Sequence, residues 1–332
     1  MLIHMPFFIR GIVMWEKHKT KIYSNNQDMH KLEQSIVHYS AQIEQFLQEI
    51  NNLILDKEQQ TKLALACLLA GGHVLFEDLP GLGKTTLASA LSRLAGLDFG
   101  RIQFTNDMLA SDVIGINMFN QKDHLFEFKR GPIFTQILLA DEINRCSPKT
   151  QSALLEAMEE GAVTVDGVRY LLPQPFWVIA TQNPLFQSGT YALPESQLDR
   201  FLMRLSLGYP SRIAEKRLLL QESRQHLIAQ IQPVFNAAEI IELQQLVKQI
   251  HLSEAVLEYL LDLAEQTRTQ RHGLSTRGVL AIKIAAQAYA FIEKRSYVIT
   301  DDIQRVFVAV TAHRTNSSEK DTFKQLEMVN VL

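Results

Sequence analysis

The chain has 332 residues, room for about two domains of ~150 residues and for a core that needs neither disulfides nor a structural metal. Its 33 Lys and Arg against 36 Asp and Glu leave a formal charge of −3, small and of the wrong sign for a chain whose main partner is a phosphate backbone, so nucleic acid is not an expected partner. Apolar residues at 46% and charged ones at 21% set aside the disordered and fibrous classes and leave an ordinary soluble globular protein.

The opening stretch Met1–Met14 is apolar but broken by His4, Pro6 and Arg10. It lacks a basic leader and a small-residue cleavage site, so it reads as a poorly ordered extension or a misassigned start ahead of an anchor or a secretion signal. The charge-free run Tyr170–Pro194 is interrupted by prolines, and the apolar run Leu63–Phe76 is too short and holds His73, so neither spans a bilayer and a membrane is not an expected partner. Cys67 and Cys146 have no Cys or His at metal spacing, which reads as two structural thiols in a reducing compartment, the cytoplasm.

Taken along the chain, Leu32, Ile36, Ile43, Leu47, Ile50 and Ile54 recur at steps of three, four or seven, which predicts one amphipathic packing helix over Met29–Ile54. Glu58–Ala70 is a second helix stopped by Gly71-Gly72, and His73–Glu77 is a short buried strand. The loop Asp78–Gly83 then enters a helix over Lys84–Leu94, and strand, glycine loop and helix together form the front of a βα unit. Arg101–Thr105, Ile137–Asp141 and Trp177–Thr181 are further apolar strands separated by helical stretches such as Lys149–Glu160, so the expected fold class is α/β with a parallel, doubly wound sheet. Two stretches interrupt it, Met118–Phe128 and Val163–Leu171, and in the second Asp166-Gly167 between β-formers predicts a hairpin whose turn residues take positive φ. Gly208-Tyr209-Pro210 ends the alternation. From Arg212 onward the pattern is helical, notably Glu239–His251, Ser253–Thr269, Ser275–Lys294 and Thr300–His313, so a second, all-helical domain is expected from about residue 211.

The segment from Asp78 to Thr86 matches G-x-x-x-x-G-K-[ST] except that Asp78 stands for the first Gly. After a buried strand and at a helix start, the loop Pro80-Gly81-Leu82-Gly83-Lys84-Thr85-Thr86 can cradle phosphate oxygens with its backbone N–H groups and the positive helix end. Lys84 then reaches the β and γ phosphates, and the Thr85 hydroxyl ligates Mg²⁺. Asp141 and Glu142 close an apolar strand where a metal-holding carboxylate belongs, with Glu142 placed to polarise a water for in-line attack. A pair of carboxylates at a helix start also serves as a simple N-terminal cap, a reading the upstream phosphate loop disfavours. Asn183 closes the strand Trp177–Thr181 and can bond the attacking water or the γ phosphate. Arg200 follows a helical run and precedes another apolar strand, whereas Arg277 starts a helix of the second domain. Most arginines are merely solvated, and it is chain position that singles these two out.

Together these residues resemble the AAA+ ATPases. The stretch from Ile137 to Glu160 with Gly131–Phe134, Ala180–Pro184, Leu193–Phe201 and Gly208–Pro210 resembles the MoxR family in particular, over roughly Glu49–Arg314. The resemblance implies a P-loop core (49–210) with a helical lid (211–332) and ATP with Mg²⁺ between neighbouring subunits of a homo-oligomeric ring, usually a hexamer. Residues 1–48 form an extension that the family does not explain. It implies Lys84 and Thr85 in Walker A, Asp141 and Glu142 in Walker B, Asn183 as sensor 1, Arg277 as sensor 2 on its own subunit's nucleotide after lid closure across Gly208–Ser211, and Arg200 as a finger reaching the neighbour's γ phosphate. The family's clients are often proteins with a von Willebrand factor A domain. Departures from its pattern are Asp78, Asn106, and Leu55-Asp56-Lys57 in place of Val-Gly-Gln. A GTPase switch lacks its Asn-Lys-x-Asp motif here, a DNA motor runs against the acidic turn at Asp166, and a scaffold without hydrolysis runs against Glu142, Asn183 and both arginines.

Overall fold

The computed structural model describes residues 7–183, 190–220, 224–269 and 272–329, so that Met1–Pro6 of the leading stretch and Pro184 lie outside the described residues. The chain opens with α1 (Phe7–Leu53) and α2 (Glu58–Leu69), then alternates β1 (His73–Glu77), α3 (Lys84–Ala95), β2 (Phe99–Gln103) and α4 (Ala110–Ile114). A hairpin of β3 (Gly115–Asn120) and β4 (Leu125–Arg130) precedes β5 (Ile137–Asp141) and α5 (Pro148–Glu160). A second hairpin, β6 (Ala162–Val165) with β7 (Val168–Leu171), precedes β8 (Trp177–Gln182), α6 (Glu195–Leu198) and β9 (Phe201–Leu205). Helices follow: α7 (Arg212–Leu220), α8 (Arg224–Gln230), α9 (Ala237–Val247), α10 (Glu254–Arg268), α11 (Thr276–Ile292), α12 (Thr300–Thr311) and α13 (Glu319–Glu327).

The central sheet is parallel, in the order β2-β5-β8-β1-β9. The inner strands β1, β5 and β8 are buried because both faces are covered, Val74 and Phe76 packing on one side and Leu75 on the other, whereas the edge strand β2 exposes Phe99, Arg101 and Gln103. The order inserts β8 between β1 and β5, so the carboxyl ends of the three strands that carry the phosphate loop, Asp141 and Asn183 lie side by side. Such a point of reversal in a doubly wound sheet is where ligands bind. β2 begins and ends two residues earlier than its sequence pattern suggests, since Phe104 leaves the ladder while its N–H still reaches the Asp141 carbonyl at 2.9 Å. The 162–171 hairpin turns at Asp166 (φ 49°) and Gly167 (φ 81°) as expected, and it is joined to the other hairpin by an Asn117–Asp166 hydrogen bond of 2.6 Å and by Phe128 stacked on Tyr170 at 4.0 Å.

One apolar cluster holds one face of the sheet, α1, α2 and α3, and the helical part from Phe235 to Leu326. The change near residue 211 is therefore a change of architecture without a change of core. α1 starts at Phe7, well before the expected Met29, and passes the expected boundary at 48/49 without a break; Leu32, Ile36, Ile43, Phe46 and Ile50 are buried in the shared cluster. Arg314, almost fully buried, clamps the helical part to the start of β9: its Nε donates to Asp199 Oδ1 at 2.7 Å, Nη2 to the Phe201 carbonyl at 2.7 Å and Nη1 to the Leu202 carbonyl at 3.0 Å. No helix among the described residues is long and apolar enough to cross a membrane, and both cysteines are free and buried.

Candidate active site

The phosphate loop leaves β1 and enters α3 through Gly81 (φ 84°) and Gly83 (φ 91°), conformations that cost a residue with a Cβ roughly 1–2 kcal/mol. A Cβ at Gly81 would meet nothing within 4 Å, so the loop curves around open space. Lys84 is buried, its Nζ donating to the carbonyls of Asp78 at 2.7 Å and Leu79 at 3.3 Å. Burial pushes the ammonium pKa down, opposed by the carboxylates of Asp78, Asp141 and Glu142. Asp78, the departure from the motif, turns its side chain away from the loop. It accepts from Ser206 Oγ at 2.7 Å and from the backbone N–H of Leu207 at 2.7 Å and of Gly208 at 3.1 Å.

Asp141 and Glu142 sit at the end of β5. Asp141 Oδ1 accepts from Thr181 Oγ1 at 2.6 Å and Oδ2 from Arg101 Nη2 at 2.7 Å. Glu142 adopts φ 58°, a left-handed turn held by its N–H on Thr181 Oγ1 at 2.9 Å, and this bend aims its carboxylate sideways across the sheet end. There Oε1 accepts from Asn183 Nδ2 at 2.9 Å, while Oε2 accepts from Gln103 Nε2 and pairs with Arg145 Nε, both at 2.9 Å. Gln151 and Asn144 brace the turn from behind: Gln151 Nε2 donates to the carbonyls of Ile143 and Cys146, Asn144 Nδ2 to the Asn183 carbonyl.

A cleft of about 400 Å³ unites Pro80, Gly81, Gly83, Lys84, Thr85, Thr86, Asp141, Glu142 and Asn183 with Arg101 and Gln103. A larger hollow of about 580 Å³ between α2, α12 and α13 is lined by groups such as Gln59, Phe323 and Leu326 and has no phosphate loop, so the smaller cleft is the chemical one. It fits a nucleotide phosphate with Mg²⁺: a glycine cradle open on one side, a buried ammonium whose partners among the described residues are carbonyls, and hard oxygen donors from Thr85 and Asp141. Leu82, at the tip of the loop, does not line it.

Arg200 and Arg277 lie elsewhere. Glu159, near the end of α5, pairs with Arg200 Nη2 at 3.1 Å through one oxygen and with Arg277 Nη2 at 3.0 Å through the other, and Arg277 Nη1 lies 3.6 Å from Asp199. Arg277, expected to reach its own subunit's phosphate after lid closure, is held on Glu159 and Asp199 here. The helical part packs on α2 and β9, and this places Arg277 beside Arg200, outside the set of residues lining the phosphate cleft.

Residues 73–203 match the model of the ATPase family associated with various cellular activities (AAA), and residues 264–328 match the AAA lid domain. The chain is 49% identical to the uncharacterized protein YeaC of Bacillus subtilis over 81% of its own length and 85% of that relative's. It is 35% identical to Chaperone MoxR1 of Mycobacterium tuberculosis over 82% of this chain and 75% of that one. The chain belongs to the MoxR family of AAA+ ATPases. A crystal structure of a presumptive ATPase from Cytophaga hutchinsonii superposes with a TM-score of 0.82 at 33% identity, covering 92% of this chain and 99% of that one.

Within this MoxR-family site, sequence reasoning missed Arg101, Gln103, Arg145 and Thr181. Arg101 and Gln103 carry one weak signal, a spacing of two on a strand, which puts both side chains on one face. That the face looks onto Asp141 follows from β2 pairing with β5 in the register Gln103 to Asp141.

Proposed function

We propose that this MoxR-family chain hydrolyses ATP in the cytoplasm as a homo-oligomeric ring, a hexamer, and spends the cycle on remodelling or activating a protein client, with a von Willebrand factor A domain as the candidate client. The observation that carries the reading is the meeting of Lys84, Thr85, Asp141, Glu142 and Asn183 in one cleft. Lys84 binds the β and γ phosphates, and the loop N–H groups around Gly81–Thr86 hold their oxygens. Thr85 and Asp141 hold Mg²⁺, which when bound neutralises phosphate charge. Glu142, fixed by Asn183, Gln103 and Arg145, takes the proton of the attacking water, and Asn183 keeps its carboxylate in line. Arg200 and Arg277, side by side on Glu159, complete a neighbouring subunit's cleft. The relative named a chaperone supports the client role.

Hydrolysis assays and fluorescent-nucleotide titrations test the core of this reading. Glu142→Gln keeps nucleotide affinity and loses about 10²- to 10⁴-fold in turnover, the share of a positioned base, while Lys84→Ala weakens binding itself. Turnover that is equal in Glu142→Gln and wild type removes Glu142 from the chemistry.

A further inference from the structure

Arg101 stands on β2, two residues before Gln103 and facing the same way, and its Nη2 divides its two protons between Gln103 Oε1 at 2.8 Å and Asp141 Oδ2 at 2.7 Å. With Thr181 on Oδ1, both oxygens of the Asp141 carboxylate already have protein donors. The guanidinium is about half exposed, lines the same cleft as Lys84 and Thr85, and offers Nη1 and Nε without a protein partner among the described residues. A guanidinium and a divalent cation at the same carboxylate oxygen compete, because each is drawn by the same negative charge and they repel each other.

We propose that Arg101 is an internal counter-cation of the metal carboxylate. It neutralises Asp141 in the nucleotide-free subunit and yields to Mg²⁺ when nucleotide arrives, so that it sets the free Mg²⁺ concentration the site requires. This rests on Asp141 being the metal-side carboxylate. Arg101 is long enough and free enough on one edge to leave Asp141 without disturbing β2, whose ladder to β5 is made by backbone groups.

The test is binding, free of turnover: a fluorescent ATP analogue is titrated onto the full chain across buffered free Mg²⁺, and the half-saturating Mg²⁺ is read for each variant, with circular dichroism as the check on folding. Arg101→Ala and Arg101→Gln should each lower that concentration about tenfold, the size of one unit of pK from a neighbouring charge. Arg101→Lys, which keeps the charge, should stay within about twofold of wild type by the same reasoning. Asp141→Asn should raise it. If Asp141→Asn raises the requirement while the two neutral Arg101 variants leave it unchanged or raise it, Arg101 does not compete with the metal and the proposal fails alone. If Asp141→Asn leaves the requirement where it was, the reading of Asp141 as the metal carboxylate fails and the proposal falls with it.

Discussion

Asp78 shows how a single residue can look like a flaw in a motif and be bound to something far away. Its carbonyl holds Lys84, and its carboxylate holds the Ser206–Gly208 segment, a partner 128 to 130 residues later in the chain. No local pattern announces that partner, which is why the sequence alone leaves Asp78 as a departure. Removing the carboxylate strands the buried Leu207 N–H, so Asp78→Gly should cost about 1–3 kcal/mol in denaturant unfolding, with Asp78→Asn recovering part through its remaining oxygen. His73, by contrast, is legible as part of a buried strand but not as a titrating group. Its Nδ1 accepts from the Val178 N–H at 3.0 Å and its Nε2 donates to the Met158 carbonyl at 3.2 Å, an arrangement that requires the neutral ring. Burial pulls its pKa down to about 4. With the unfolded ring near ~6.5, its contribution to stability is complete above that pH and is lost as pH falls from there toward about 4, up to ~3 kcal/mol in all. His313, also buried and driven well below its ordinary value, adds loss in the same direction. Urea unfolding at pH 7 and pH 5 should show this loss, and His73→Gln should flatten it; an unchanged slope would exclude His73 as its source.

Periodicity resolves elements well where one face is apolar and poorly where pairing decides. The helical repeat of α1 from Leu32 and the Asp166-Gly167 turn are both plain in the residues, and both stand in the structure. The role of α1 was not plain, because the surface it covers comes from α3, α8 and α11, elements far along the chain. Phe46, fully buried and 5.8 Å from the ring of Phe235, joins the start of the chain to the helical part. Phe46→Ala should therefore cost about 3–5 kcal/mol, the usual loss for a buried aromatic, and thermal unfolding should record it, whereas Val37→Ala on the exposed face should change little. The other limit is strand order. Apolar strands identify a parallel sheet but do not say which strands are neighbours, so the approach of Arg101 and Gln103 to the carboxylates of β5 had no readable sign. Two of the three departures from the family pattern also converge here: Lys57 donates to the Tyr209 carbonyl at 2.9 Å and Asp56 accepts from Ser211, so the segment after β9 is held by Asp56, Lys57 and Asp78 together.

For the whole molecule, the placing of Arg277 beside Arg200 raises the question of which subunit Arg277 serves. If both act on the neighbour, Arg200→Ala should lower turnover about 10³- to 10⁵-fold, as arginine fingers do, and mixing with Glu142→Gln protein should restore activity at mixed interfaces. Arg277→Ala mixed with Glu142→Gln gives the sharper result. Rescue is expected if Arg277 works across the interface, since one mixed site then has an intact Glu142 facing an intact Arg277; no rescue would return Arg277 to its own subunit. α5 gives this arrangement a mechanical meaning. At its first turn Gln151 grips the bend that carries Glu142, and near its last residue Glu159 grips both arginines. A helix of 13 residues is a stiff rod about 20 Å long. A small tilt at the Glu142 end, such as a changing γ phosphate would impose, would therefore swing the end that presents the arginines, and in the proposed ring each subunit would then act as a relay that times its neighbour's turn.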